Sequence, residues 1–340
     1  MITRPYHGLC PRIRKKHLQK TYVALLQLSG CLWSSGSMKT STLKDIALYT
    51  WIVAGWTACI YLIPAWVGDL GFFGAWFQDK TWLKFGVLWI LTAHVTITCM
   101  SLSFHRGHTH QAVKIHPLVD IPMQLVLWTI TSMSKLDWVS VHVYHHAHSD
   151  TAKDPHSPSQ KGLLRVFLFG AFDYTRAKNW PEVRKIRARI PANALERYIA
   201  DHTFQAPIFG GILLMILFGP MYGSILTVMN FAISPLFAVG GVNALAHAIG
   251  YQNYDSKDES RNLGFLFPLN WVISGELDHN NHHKFPKSPS FSHRWYEFDI
   301  GWVYLRLLKW VGLAKITGTI PRVKSENAPA NSQSEVAFVS

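Results

Sequence analysis

The sequence concentrates its histidines in short clusters, and imidazole is the commonest metal ligand among protein side chains. Of 340 residues, 18 are histidines. Three clusters carry several of them: HRGHTH at 105–110, HVYHH at 142–146 and HNNHH at 279–283. A fourth, NALAH at 243–247, ends in one. Chance clustering or a histidine-rich solvent loop explains two HxxHH clusters poorly. The pattern therefore predicts a metal site.

The spacing within these clusters favours convergence on helix faces. Positions i, i+3 and i+4 share a face of an α-helix, so each HxxHH is expected to direct three imidazoles to one place. Asn243 and His247, four residues apart, also share a face. His105 and His110 are five apart, about 140° around a regular helix, so they would not meet at one metal there. The pair could serve two metals, or the helix could end between them, and His108 is a rival candidate.

The number of candidate ligands exceeds what one metal needs. The clusters offer two, three, one and three histidines, nine in all, whereas one ion takes about four to six ligands. Two metals are therefore implied. Imidazole suits zinc, copper, iron or nickel, so ligand type alone does not choose among them. A structural zinc site is disfavoured because such sites use four ligands and usually thiolates, and the four cysteines form no CxxC pair.

Apolar stretches must position these clusters at a membrane. The chain is 49% hydrophobic but only 16% charged, against about 25% charged residues in a typical soluble domain. About 20 apolar residues of helix cross the hydrocarbon core of a bilayer. By this measure the sequence predicts four spans, at 46–64, 85–104, 206–219 and 223–245. The third of them is short.

A fifth apolar stretch, at 118–133, is interrupted by Asp120 and Pro122. We expect an interfacial or re-entrant helix there rather than a span. Together with the helical spacing of the histidines, the four spans predict an all-α integral membrane fold. Its four transmembrane helices would be joined to a cytoplasmic helical cap that holds a histidine-rich site for two metals.

Lysine and arginine counts orient the spans. Segments 1–45, 105–205 and 246–340 hold eight, thirteen and ten of them, whereas 65–84 holds two and 220–222 none. Basic loops stay on the cytoplasmic side of a membrane. We therefore expect both termini and the histidine clusters to be cytoplasmic. The net charge of +13 fits an anionic membrane face, and the lack of a basic stripe with stacking aromatics argues against a nucleic-acid partner.

The two ends of the chain differ in composition from its middle. Residues 1–41 form a basic N-terminal extension, and the part before Met38, which follows SSGS, could be spurious. The polar tail at 325–340 is expected to be disordered. The remaining residues, 42–324, are expected to form one domain.

The four clusters, in their order along the chain, resemble the histidine boxes of the membrane-bound fatty acyl desaturases, specifically the bacterial delta-9 type. The family signature is HxxxxH, HxxHH, a late NxxxH and a final HxxHH. The flanking words DPHSP at 154–158, GYQNY at 250–254 and WYEFDIGW at 295–302 also match. The likeness covers roughly residues 42–316. It implies a membrane fatty acid desaturase domain over 42–324, in the inner (cytoplasmic) membrane of a bacterium.

The resemblance also implies a set of ligands for two iron ions. Asn243 would bind one metal through water, and four neighbours, Asp137, Asp154, His156 and Glu276, could orient the ligands by hydrogen bonds. For Asp154 and His156, a capping or turn role is the alternative. His148 has no ligand counterpart and points away from His146 on a regular helix. The implied ligands are His105, His110, His142, His145, His146, His247, His279, His282 and His283.

The implied activity is O2-dependent desaturation of a saturated acyl chain, with a cis double bond introduced at delta-9 into a fatty acyl-CoA or acyl-lipid. The sequence contains no haem-binding or cysteine-ligated iron–sulfur motif, and we predict no bound haem or flavin. Electrons are therefore expected from a separate ferredoxin, rubredoxin or cytochrome-type partner. The basic segment RKIRAR at 184–189 could dock an acidic carrier or an anionic substrate head, or could simply be a positive-inside flank.

Two other functions remain open at the level of sequence. A related di-iron hydroxylase or a terminal-alkene-forming oxidase would use the same ligands, because the same oxidant can insert oxygen or remove a second hydrogen. A metal transporter with histidine-lined sites would instead place polar residues along a pathway at mid-membrane, whereas these clusters are predicted at one face.

Overall fold

The computed structural model describes residue 50 and residues 82–266, 268–321 and 338–339. The N-terminal extension at 1–41 lies outside the described residues. So do the predicted span at 46–64, apart from residue 50, and most of the tail at 325–340.

Helices dominate the described part of the chain. In its first half they are α1 (Trp82–Cys99), the π-helix π1 (Met100–Thr109), α2 (Pro117–Thr131), α3 (Lys135–His148), α4 (Pro158–Lys161), α5 (Leu163–Ala177), α6 (Pro181–Arg187), α7 (Ala194–Asp201) and α8 (Ala206–Phe218). In its second half they are α9 (Pro220–Val228), π2 (Met229–Ile233), α10 (Ser234–Val239), π3 (Gly240–Ala244), a 3-10 turn (Leu245–His247), α11 (Leu269–Val272), α12 (His279–Lys284) and α13 (Ile300–Trp310).

The described residues also contain two antiparallel pairs of very short strands. β1 (Val113–Ile115) pairs with β2 (Ala314–Ile316), and β3 (Ile320–Pro321) pairs with β4 (Phe338–Val339). The all-α expectation is therefore met by the bulk of the described chain, with these strands as additions. β4 lies within the tail that we expected to be disordered.

Two continuous helices are long and apolar enough to cross a bilayer. They run over Trp82–Thr109 and Pro220–His247, with 28 residues each, or about 42 Å at 1.5 Å per residue. They contain the predicted spans 85–104 and 223–245 and extend beyond the polar end of each. Both extensions leave α-helical geometry and carry histidine clusters, so the fold continues each apolar helix directly into the candidate site.

The third predicted span, at 206–219, corresponds to α8, whose 13 residues reach only about 20 Å. It meets α7 at an angle of 92°, so the described residues hold two membrane-length helices, or three if this bent pair is one span. Gly219, with φ 85°, begins the turn from α8 into α9. The two helices pack closely at Gly223, where a Cβ atom would overlap the backbone of Met215.

The apolar stretch 118–133 forms a single 15-residue helix, α2, which continues through both Asp120 and Pro122. It begins after His116, whose ring accepts a hydrogen bond from the amide of Leu118. The Asp120 carboxylate accepts from Ser103 at 2.5 Å and lies 3.0 Å from His108 Nε2. The charge that interrupts the apolar pattern therefore ties α2 to π1.

Polar contacts anchor the two helices that carry HxxHH, α3 and α12. Ser134 caps the start of α3, because its hydroxyl accepts a hydrogen bond from the amide of Asp137 at 3.2 Å. α12 has only six residues and is held by the side chain of Asn281 and the backbone amide of Asn280. Asn281 donates to Glu297 at 2.7 Å, and the Asn262 side chain accepts from the amide of Asn280 at 2.8 Å. A segment this short would not hold a helix without such contacts.

A buried arginine fixes π1 against the C-terminal part of the fold. Arg106 is fully buried, donates to the Ser274 carbonyl at 2.8 Å and pairs with Asp299 at 3.1 Å. Its guanidinium lies 3.9 Å from the centre of the Phe291 ring. Gly301 leaves room for it, because a Cβ atom there would lie 2.7 Å from the Arg106 Nη1 atom.

Candidate metal centre

The nine histidines predicted as ligands come together in two groups. Within each group, one ring nitrogen of every member lies within 4.8 Å of those of the others. The five-histidine group consists of His105, His110, His142, His146 and His282. The four-histidine group consists of His145, His247, His279 and His283.

Each HxxHH cluster is divided between the two groups, so the prediction that it directs three imidazoles to one place was wrong. His142 and His146 contribute to the five-histidine group, whereas His145 contributes to the four-histidine group. On an α-helix, residues four apart are offset by about 40°, but adjacent residues are offset by about 100°. α3 and α12 therefore each present one pair at i, i+4 to one group and the remaining histidine to the other.

His105 and His110 join the same group because the helix between them is not regular. Residues 100–109 are π-helical, and the His110 amide donates to the His105 carbonyl at 3.1 Å. A π-helix makes i→i+5 hydrogen bonds, which bring residues five apart to nearly the same face. The helix ends at Thr109, between the two histidines, as one of the two alternatives required, and its π-helical path brings both of them to one group. His108, the rival candidate, turns away toward Asp120.

The Nε2 atoms of the five-histidine group crowd together. His282 Nε2 lies 2.9 Å from that of His105 and 3.0 Å from that of His146, and the His142 and His146 atoms are 3.0 Å apart. The four-histidine group shows one such contact, at 3.0 Å between His279 and His247. At Nε2 each ring can offer only one proton or one lone pair, so hydrogen bonds cannot satisfy several converging Nε2 atoms at once. A cation at the centre of each group would accept their lone pairs.

Two buried ring nitrogens support this fit. The Nε2 atoms of His145 and His283 have no hydrogen-bond partner, although both are shielded from solvent. Buried polar atoms in folded proteins are almost always satisfied, so an orphan of this kind indicates an ion or another bound group. Both atoms belong to the four-histidine group, where a metal would be their partner.

Carboxylates hold the far nitrogen of four of the nine rings. Glu276 and Asp154, both predicted to orient ligands, lie 3.0 Å from the Nδ1 atoms of His105 and His145. Because an ionised carboxylate can only accept, Nδ1 carries the proton and Nε2 keeps its lone pair. Such a contact fixes the ring and increases its basicity as a ligand.

The other two carboxylates were not predicted from the sequence. Asp150 lies 2.8 Å from His247 Nδ1, and Asp258 lies 2.6 Å from His283 Nδ1. Both residues lie in loops, where helical spacing cannot relate them to the histidines. The four-histidine group thus has a carboxylate on three of its four rings, and the five-histidine group has one, on His105.

Two of the predicted orienting residues do not contact a ligand ring through a hydrogen bond. The Asp137 carboxylate pairs with Lys178 at 3.3 Å and Arg187 at 2.8 Å, so it joins α3 to neighbouring helices, and its predicted role was wrong. His156 acts through its backbone, since its amide donates to Asp154 at 2.8 Å. Its ring is 5.8 Å from that of His145.

The remaining predicted residues surround the two groups. Asn243 is half-buried in π3, one turn before His247. His148 belongs to neither group and lies against Tyr144, with ring centres 4.4 Å apart. Trp138, which the spacing argument missed, stacks on His142 at 4.5 Å with 19° between the planes. It restricts the orientation of that ring.

Electrostatics keep most of the rings in the form that binds metal. Burial, reinforced by neighbouring imidazoles, holds the pKa of each of five histidines well below the usual value. They are His110, His142, His146, His279 and His282. Burial also lowers the pKa of His283 to about 4. These rings are uncharged at neutral pH, as ligation requires.

The carboxylates carry negative charge beside the rings. Burial raises the pKa of Asp154 and Asp258, but contacts with His145 and His283 outweigh it and hold both well below the usual range. Burial likewise lowers the pKa of His145, yet the charge of Asp154 leaves it above the ordinary value. A metal ion bound at the four-histidine group would therefore be surrounded by nearby negative charge.

Comparisons with known proteins agree with this geometry. A model of the fatty acid desaturase family matches residues 80–307, which include all nine histidines. The "Acyl-CoA C20 Delta5-desaturase" of Anemone leveillei is 31% identical over 243 residues, which cover 69% of this chain and 73% of the relative. The "sn-1 stearoyl-lipid 9-desaturase" of Anabaena variabilis is 28% identical over 263 residues, 76% and 92% of the two chains. The "Delta-9 desaturase-like 4 protein" of Arabidopsis thaliana is 29% identical over 240 residues, 68% and 75% of the two chains.

Proposed function

Since the chain belongs to the fatty acid desaturase family and is an oxidoreductase, we propose that it introduces a cis double bond at delta-9 into a saturated fatty acyl chain. The reaction consumes one O2, two electrons and two protons for each –CH2–CH2– unit that becomes –CH=CH–, and releases two waters. The observation that carries the proposal is the convergence of nine imidazoles in two adjoining groups.

We propose that each group holds one iron ion, with Asn243 as a water-mediated ligand beside the four-histidine group. An all-imidazole donor set suits iron, and zinc is excluded as the working ion because the reaction needs a redox metal. When bound, iron supplies the O2 chemistry that removal of hydrogen from an unactivated methylene requires. No side-chain acid or base can do this, because an alkyl C–H is not acidic.

The protein's own groups hold and orient this centre. Glu276, Asp154, Asp150 and Asp258 each keep a proton on Nδ1 of one histidine and thereby direct its Nε2 inward. Apolar residues limit access of water at the five-histidine group, where Phe291 lies 5.2 Å from His105 between ring centres. Such exclusion protects a strong oxidant from side reactions.

The acyl donor is proposed to be a fatty acyl-CoA or an acyl-lipid. Relatives named for each kind of donor match the chain to a similar extent. The delta-9 position follows the resemblance and is shared with the name of the Anabaena variabilis relative. A separate ferredoxin, rubredoxin or cytochrome-type protein is proposed to deliver the electrons.

The protein is a membrane protein by its family and its apolar helices. We propose four spans in a bacterial inner membrane, with both termini and the metal centre on the cytoplasmic side. The excess of lysine and arginine in 105–205 and 246–340 supports this orientation.

Expression in a bacterial host that lacks its own desaturase tests the proposal. The host is fed saturated fatty acids, and the double bond is located by mass spectrometry after derivatisation of the total lipid. We expect a new internal cis alkene at delta-9, absent from cells that express His282→Ala. Hydroxylated acids or shortened terminal alkenes without an internal alkene would assign the centre to the related oxidation reactions and contradict desaturation.

A further inference from the structure

The short helix α7 presents three distinct faces. Glu196 and Ile199 are buried against the protein, where Glu196 pairs with Lys135. Leu195 and Tyr198 are exposed on a second face. Arg197 and Asp201, four residues apart, share a third face that lines a cleft of about 330 Å³. A helix with one apolar exposed face and one charged face is typical of a membrane interface.

The neighbourhood of α7 supports that placement. The helix meets the apolar helix α8 at 92°, so it lies along the membrane surface if α8 enters the bilayer. Tyr198 is in edge-on contact with Trp128, at 6.1 Å between ring centres, and Trp128 contacts Phe209 of α8 at 6.3 Å. Tryptophan and tyrosine collect at the headgroup level of membranes. The cleft beside Arg197 is therefore expected at the depth of lipid phosphates.

The cleft combines cationic and apolar walls. Arg187 and Arg197 supply the guanidinium groups, and Leu136, Ala188, Ile190 and Ala192 supply most of the rest. Arg187 is held by Asp137 at 2.8 Å, which leaves its Nη2 atom 4.0 Å from Asp201. Arg197 has no ion pair within the described part of the chain. Planar guanidinium groups bind phosphate oxygens with two parallel hydrogen bonds.

We propose that this cleft binds the phosphate group of an anionic membrane phospholipid, with Arg197 as its main ligand and Arg187 as a second. The apolar wall suits the glycerol end and first methylenes of a lipid rather than a fully hydrated soluble anion. Segment 181–190 holds four basic residues, Arg187 among them, against one acid, Glu182, and so favours an anionic headgroup. Asp201, which also lines the cleft, competes with the phosphate for the arginines.

The site adjoins the first turn of α3, through Leu136 and the Asp137–Arg187 pair. The same helix carries His142, His145 and His146. A lipid bound in the cleft would therefore brace the helix that supplies a third of the candidate metal ligands. Lipid binding itself does not depend on the proposed reaction.

The test measures phospholipid binding to the purified full-length protein in detergent. Increments of dioleoyl phosphatidylglycerol are added, and the bound lipid is counted by native mass spectrometry. Dioleoylglycerol, which has the same chains without phosphate, and coenzyme A and inorganic phosphate are the comparison probes. We expect saturable binding of the phospholipid and none of dioleoylglycerol. Loss of a charge-assisted contact worth about 1.4 kcal/mol or more corresponds to at least tenfold weaker binding, which is expected for Arg197→Gln.

Matched variants separate the cleft from general surface charge. Lys185→Gln removes the same charge from an exposed position of α6 outside the cleft and should bind as wild type, whereas Asp201→Asn should bind more tightly. Equal weakening by Arg197→Gln and Lys185→Gln would overturn the site. Displacement of the lipid by coenzyme A or phosphate at lower concentration would overturn the assignment to a lipid, since the cleft would then belong to a soluble phosphate compound.

Discussion

The Nδ1 atom of His283 donates to the Asp258 carboxylate across 2.6 Å, the shortest of the four contacts between a carboxylate and a candidate ligand. Asp258 lies 25 residues before His283 in a loop. It therefore aims one imidazole of the four-histidine group from outside the helices that carry the histidines.

Replacing Asp258 with asparagine should lower metal content more than it lowers stability. The amide can present its NH2 group to Nδ1, so the ring loses both its fixed orientation and the negative charge behind it. Partners of this kind contribute about 10- to 100-fold to metal affinity or activity. Iron is counted by plasma mass spectrometry during titration with a chelator, and the melting temperature is recorded in parallel.

Asp255→Asn is the matched control for that experiment. Asp255 is three residues away and exposed, and it touches no histidine of either group among the described contacts. It should retain the chelator resistance of the wild type. Equal loss of iron from both variants would mean that the loop, rather than the carboxylate, holds the site.

The division of HVYHH between two groups gives a second prediction. His145→Ala should abolish activity and release metal from the four-histidine group, whereas His146→Ala should do so from the five-histidine group. Each variant is expected to keep roughly half of the iron of the wild type if the remaining group still binds. Iron per chain and Mössbauer spectra of the two purified variants check this, and identical residual spectra would contradict separate groups.

His148→Ala is the control within the same helix. The ring lies against Tyr144 and outside both groups, so activity and iron content should stay within about twofold of wild type. If His148→Ala and His145→Ala lost activity equally, the division of this histidine run into ligands and a bystander would be wrong.

The identity of the nine candidate ligands could be predicted from the sequence, because periodicity and the family signature both depend on residue type and spacing. The division of these histidines between the two groups could be predicted only in part. The i, i+4 pairs of α3 and α12 reach a common group as helical geometry requires, but the third histidine of each cluster crosses to the other group. This placement requires a second group of histidines that distant segments of the chain contribute. A local sequence pattern does not show such a group.

The π-helical path from His105 to His110 was not predictable for a different reason. It is held by tertiary contacts of Arg106 with Ser274 and Asp299, more than 160 residues away. Likewise, Asp150 reaches His247 across 97 positions. The ligand-orienting role predicted for Asp137 was wrong because its carboxylate contacts two basic side chains, 41 and 50 residues later in the chain.

Arg106 provides a third prediction, on stability. Arg106→Met leaves the buried Asp299 without its cationic partner and removes the group that fixes π1. Breaking one side of a buried ion pair costs about 3–5 kcal/mol, so a large drop in melting temperature is expected. Arg261→Gln breaks a longer pair, 3.5 Å, whose acidic partner Glu259 is 61% exposed, and loss of this pair should cost at most about 1 kcal/mol. Similar losses from the two variants would contradict the special role of Arg106.

The last prediction concerns acid sensitivity through His293, a half-buried histidine that belongs to neither group. Its Nδ1 atom lies 3.1 Å from the Tyr254 hydroxyl, and Nε2 lies 3.1 Å from the Ser290 carbonyl. Burial lowers its pKa to about 4, below the value of about 6.5 in an unfolded chain. Between these values the unfolded state binds more protons, so stability falls as pH decreases.

Each pKa unit corresponds to about 1.4 kcal/mol, so His293 should account for a loss of about 3 kcal/mol between pH 6.5 and 4. Melting temperatures are measured across this range for wild type, His293→Gln and the control His148→Gln. We expect His293→Gln to be less stable at pH 7 but to show a shallower decline toward pH 4, while His148→Gln follows the wild-type slope. Parallel curves for His293→Gln and wild type would show that protonation of this half-buried ring does not drive the acid sensitivity.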